Sequence, residues 1–170
     1  MRPTFCPITT ALFLLVGCAA AAEEIDTHKV ATPQSLKWAA APPSLPGGAE
    51  IAMLFGDPEK PGVFALRMKM PKGYRIPPHM HEHSEFVTVL SGALSLGLGP
   101  AADRVTIERL PAGSFASMPH GVVHYVFVNE DSVIQINASG PWTIEYANAK
   151  DDPRLNGAPE VSDPNLYSSK

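Results

Sequence analysis

The chain has 170 residues, 45% of them hydrophobic and 18% charged, which suits one globular domain. The net charge is −4 and the 13 Lys and Arg are dispersed, which excludes a basic nucleic-acid-binding stripe. Pro (18) and Gly (13) are frequent and spread along the chain, a pattern of many short strands joined by turns and not of long helices.

Residues 1–22 read as an export signal. Arg2 precedes "ITTALFLLVGCAAAA", an apolar run too short to span a bilayer. Two cleavage sites compete. "LVGC" at 15–18 resembles a bacterial lipobox, with Cys18 as the lipidated N-terminus, whereas "AAA" at 20–22 fits ordinary signal peptidase. All four lipobox positions match, so an exported, periplasmic protein anchored to the membrane through Cys18 is the favoured expectation. The two cysteines, Cys6 and Cys18, both lie in the leader, so the mature domain is expected to have no disulfide and no thiolate ligand.

Residues 23–34 read as a tether, 35–154 as the domain and 155–170 as a polar tail. "SLKWAAAPPSLPGGAE" (35–50) is expected to be an extended arm lying on the domain through Leu36, Trp38 and Leu45. From residue 50 the period is two. In 63–70, Phe64, Leu66, Met68 and Met70 share one face. Further strands are expected at 85–90 (Glu85, Val87, Val89 on one face), 93–99, 104–110 (Val105, Ile107), 124–129 (His124, Val126, Val128), 133–139 and 142–147. Eight or more short strands at this spacing imply a sandwich or closed barrel.

The chemistry concentrates in "PPHMHEHSEFVTVLSG", residues 77–92. His79 and His81 are two apart, so an extended chain points both imidazoles to one face. Glu85 has the same parity after a tight connection, and His124 opens a later strand. Three imidazoles and a carboxylate form an N/O set suited to Mn²⁺ or Fe²⁺; Ni²⁺, Cu²⁺ and Zn²⁺ also accept imidazole.

These residues resemble the cupin superfamily, in particular its small single-domain secreted bacterial members of the type-2 kind. "GYRIPPHMHEHSEFVTVLSG" fits the first cupin motif, G-x5-H-x-H-x3-E-x6-G, through Gly73, His79, His81, Glu85 and Gly92. "GSFASMPHGVVHYVFVN" is similar to the second, G-x5-P-x-G-x2-H-x3-N, through Gly113, Pro119, Gly121 and His124, with Asn129 one residue late. The resemblance implies an all-β jelly-roll barrel with one divalent metal ion inside, held by His79, His81, Glu85 and His124. It also implies a small-molecule substrate, with dioxygenase-type or isomerase-like chemistry on a chelating aromatic or diketone molecule. Glu85 would then hold the ion and take a substrate proton. A non-catalytic, metal-dependent binding or sensor module is the alternative, and a homodimer is left open.

Other residues carry two readings each. His83 has the right parity but is expected beyond the strand end, at the surface. His120, in the Pro119–Gly121 turn, is either a turn residue or a general base at the barrel mouth. Glu82 reads as solvated, and Arg67 and Arg75 as solvated in preference to contacts for an anionic substrate. Met53, Phe55, Phe64, Met68, Met118 and Phe127 read as barrel packing in preference to pocket lining, and Tyr74 and Tyr125 as candidate polar groups of the pocket.

Overall fold

The computed structural model describes residues 28–156; the leader, including Cys6 and Cys18, and most of the tail lie outside the described residues. Two antiparallel sheets face each other. One has six strands in the order β1 (Ala39–Ala40), β2 (Glu50–Phe55), β3 (Gly62–Met70), β10 (Ser132–Gly140), β5 (Glu85–Ser91) and β8 (Phe115–Met118). The other has five, in the order β11 (Glu145–Tyr146), β4 (Arg75–Met80), β9 (His124–Val128), β6 (Ala93–Leu98) and β7 (Glu108–Pro111). This is the jelly-roll barrel that the motifs implied.

The alternation along the strands builds the interior. In β3 the even residues Phe64, Leu66, Met68 and Met70 are buried and the odd ones are not. Val87 and Val89 of β5, Val126 and Val128 of β9, and Ile134 and Ile136 of β10 complete a continuous apolar core. Strand β9 is buried on both faces, because Tyr125 and Phe127 are covered from outside by the 99–106 loop. Tyr125 Oη donates to the Asp103 carbonyl (2.9 Å) and accepts from the Asp103 amide (3.1 Å), and the Arg104 guanidinium lies over Phe127.

Two expected strands are shorter than the periodicity suggested. The segment 104–110 is strand only from Glu108, since the Asp103 carboxylate accepts from the Val105 amide and the Thr106 hydroxyl and turns the chain there. Val105, expected inside, is exposed. The segment 142–147 pairs only at Glu145–Tyr146; the Trp142 amide donates instead to Pro58 O (2.7 Å).

The arm lies on the domain as expected. Ala39 and Ala40 pair with Ile51 and Glu50, Lys69 Nζ sits over the Trp38 ring, and Leu45 is buried. Two phenols pin the arm: Tyr74 Oη donates to Pro46 O (2.7 Å) and Tyr146 Oη to Ser44 O (2.8 Å). Burial pushes both hydroxyls well above the usual tyrosine range, which keeps them as donors.

Candidate metal centre

The first two ligand-type residues come from β4 and the turn after it. Ile76 pairs with Val126 and His79 with His124, so β4 uses three residues where β9 uses two. That extra residue is a β-bulge at Pro77–Pro78, where proline has no amide to give to the ladder. It also resets the inward parity. Ile76 faces the core, and without the bulge His79 would face out; with it, His79 and His81 are both buried.

The turn at 81–84 is tied to the turn before β9. The Gly121 amide donates to His81 O (3.1 Å) and the His120 amide to Ser84 Oγ (3.3 Å). These bonds set His124 against the first motif, and Glu85 enters from the opposite sheet, paired with Met118 and Ala138. The set therefore bridges both sheets.

Each imidazole is oriented by a backbone carbonyl. His79 Nδ1 lies 2.7 Å from Pro77 O, His81 Nδ1 2.7 Å from Thr143 O, and His124 Nδ1 3.0 Å from Val122 O. A carbonyl only accepts, so each Nδ1 carries the proton and each neutral ring keeps its Nε2 lone pair free for an electrophile. One ring nitrogen from each of the three histidines falls within 4.8 Å of the others, and all three residues are buried. Glu85 Oε2 is 3.4 Å from His124 Nε2 and 3.8 Å from His81 Nε2. For ligand bonds of about 2.1 Å, octahedral neighbours stand about 3.0 Å apart and opposite ligands about 4.2 Å. The three imidazoles thus fit one ion after a small contraction, and the Glu85 carboxylate stands beside two of them.

Electrostatics favour the same state. Burial first, then the neighbouring His124 and His81 rings, holds the His79 imidazole well below its ordinary value. Burial also lowers His81, against the opposing pull of Glu85. Among the described residues, His81 Nε2 is a buried nitrogen with no hydrogen-bond partner, a position that a metal ion would fill.

These groups sit at one side of a cavity of about 250 Å³, whose walls include Leu66, Met68, Ile76, Leu94, Met118, Val126 and Ile136. Met68 and Met118, read from sequence as packing in preference to pocket lining, also line it. Leu45 of the arm, Trp142, Thr143 and Ile144 line it too. The 142–144 wall was hidden from sequence reading by its strand-like alternation; its nearest signal is "GPW", where proline ends β10.

The structure sorts the remaining candidates. His120 is exposed and does not line the cavity, so the general-base reading loses its geometric support. His83 is half-buried and outside the cluster, and Glu82 is exposed. Tyr74 and Tyr125 do not line the cavity either, because their hydroxyls are committed to Pro46 and Asp103. Arg67 bonds Gln135, on the outer face of its sheet. Asn129 is exposed and donates to Ser95 Oγ, so its displacement by one residue leaves the cluster untouched.

Residues 66–136 match the family described as the cupin domain, and this span holds all four ligand-type residues. This span is a cupin domain. Solved structures agree on the fold. The polyketide cyclase RemF of Streptomyces resistomycificus is 20% identical, with 75% of this chain and 90% of that one covered and a TM-score of 0.62. A candidate acetylacetone dioxygenase of Methylibium petroleiphilum PM1 is 16% identical over 75% and 85%, with a TM-score of 0.59. KdgF from Halomonas sp. is 23% identical over 64% and 91%, at 0.51. No curated protein matches the sequence.

Proposed function

We propose that this cupin is a metal-dependent enzyme of the cell envelope, acting on a small organic molecule that brings chelating oxygens to the ion. The observation that carries the reading is the convergence of three buried imidazoles, each held in the Nδ1–H form by a carbonyl, on the polar side of an otherwise apolar cavity. His79, His81, His124 and Glu85 would hold one first-row divalent ion. Such an ion supplies Lewis acidity to a coordinated oxygen.

The chain's own residues would do the rest. The carbonyls of Pro77, Val122 and Thr143 keep the rings aligned. Glu85, buried from the opposite sheet, balances charge and is placed to take a proton from a substrate hydroxyl beside His124. The aliphatic walls exclude water and leave room for an apolar substrate body. Of the cationic side chains, Arg154 lines the cavity, but it is bound to the Asp152 carboxylate and to Ile144 O, which favours a neutral substrate over a small dianion. Two of the similar structures bear enzyme names, which shows that the barrel accommodates enzymes and selects neither reaction here.

The second reading, a metal-dependent binding module, has one observation in its favour: His120, the candidate base, stands outside the cavity. Turnover separates the two. Protein loaded with Fe²⁺ or Mn²⁺ is offered catechols, flavonols and β-diketones, with oxygen uptake and product formation followed. Conversion lost in Glu85→Gln supports the enzyme; saturable binding without conversion across the panel supports the module.

A further inference from the structure

Among the described residues, two buried side-chain nitrogens have no hydrogen-bond partner: His81 Nε2 and Trp142 Nε1. Their rings are stacked, with centroids 4.4 Å apart and planes 17° from parallel, and both residues line the cavity. The first nitrogen would be taken by the proposed ion. The second would not, because an indole N–H can only donate and has no affinity for a cation.

Trp142 is held rigidly. Its amide donates to Pro58 O, Phe64 meets its ring at 62° with centroids 5.5 Å apart, and the next residue, Thr143, supplies the carbonyl that orients His81. The N–H lies in the indole plane, so near-parallel stacking directs it alongside the imidazole and not into its face. The Phe64 ring offers at best a weak acceptor. A buried donor left this way carries an uncompensated desolvation cost unless something in the cavity accepts from it.

We propose that Trp142 is a ligand-binding residue whose Nε1–H donates to an oxygen of the molecule seated against His79, His81 and His124. The occupant would then present at least two oxygens on a flat, apolar body, one turned to the histidine cluster and one to the indole. A hydroxyketone or enol is such a molecule; an unfunctionalised hydrocarbon is not. This inference rests on the metal-binding reading above and adds a specificity-determining residue to it.

The test uses natively processed, ¹⁵N-labelled protein loaded with diamagnetic Zn²⁺ and titrated with tropolone, a planar hydroxyketone. The chain has two indoles, Trp38 and Trp142, and Trp142→Phe assigns their signals while keeping an aromatic ring on His81. The Trp142 indole proton should move downfield on tropolone binding while that of Trp38, on the outer arm, stays in place. Trp142→Phe should take up Zn²⁺ with unchanged stoichiometry but bind tropolone about tenfold more weakly, the loss of one good hydrogen bond. An unmoved Trp142 signal at saturation, or equal tropolone affinity in Trp142→Phe, overturns the proposal. Calorimetry with Zn²⁺ alone identifies the other failure: if the wild type takes up no metal, the metal reading falls and this proposal falls with it.

Discussion

Acidifying the metal-free protein should destabilise it well above the pH at which carboxylates titrate. His79 and His81 are buried with Nδ1 already donating to a carbonyl, so a second proton must go on Nε2, inside a cluster whose ring centroids are 4.2–5.4 Å apart. Burial holds both imidazoles below the ordinary value of 6.5. The sign follows: below about pH 6.5 the unfolded chain binds protons that the folded one refuses, so stability is complete above that pH and is lost as pH falls towards the folded values. Each fully linked histidine contributes a slope of about 1.4 kcal/mol per pH unit. From pH 6.5 to 5, His79 can therefore account for at most about 2 kcal/mol and both together for at most about 4. His81 contributes less than His79 because Glu85 favours its cation. A domain with roughly 5–15 kcal/mol in total would show this clearly. Urea unfolding in EDTA at pH 8, 7, 6 and 5 measures it, and His79→Gln should flatten the slope. A midpoint that does not change from pH 8 to 5 would refute the reasoning.

Three other outcomes are expected. His81→Ala and His124→Ala should each reduce metal affinity by at least about a hundredfold while His83→Ala changes it little, since His83 lies outside the cluster; calorimetry showing His83→Ala as costly as His81→Ala would contradict the ligand set. Gly97→Ala should cost about 1–3 kcal/mol in denaturant unfolding with metal stoichiometry unchanged, because a Cβ there would overlap the Tyr125 ring that anchors Asp103; a neutral effect would mean that the 99–106 loop does not depend on that ring. Cys18→Ser should release the protein from the membrane fraction, because lipidation needs the thiol; an intact mass beginning at Glu23 in the wild type would show ordinary cleavage instead.

The centre was legible because metal-ligand chemistry is written in close spacings. His79, His81 and Glu85 share parity, and His124 shares its face with Val126 and Val128, so two short stretches sufficed to bring four groups together. The means were less visible. The parity of His79 holds only because the Pro77–Pro78 bulge resets β4 after Ile76, a step that the apolar pattern alone would have placed the other way. Side-chain alternation also overcalled strands. At 104–107 the short-range Asp103 bonds outcompete pairing, and at 142–144 the Trp142 amide finds Pro58, 84 positions earlier in the chain. Long-range partners of that kind leave no local trace. For the same reason the Thr143 carbonyl behind His81 and the tyrosine bonds to the arm appear only in the structure.

The central claim, that His79, His81, His124 and Glu85 form one metal centre, is tested most directly by metal content. Protein purified without a histidine tag, stripped with chelator, reconstituted in turn with Mn²⁺, Fe²⁺, Ni²⁺, Cu²⁺ and Zn²⁺ at pH 7.5 and desalted, is subjected to elemental analysis. The account predicts about one ion per chain for at least one of these metals, and its loss in His81→Ala. Fewer than roughly one ion per ten chains for every metal, in protein shown to be folded by circular dichroism, would contradict it.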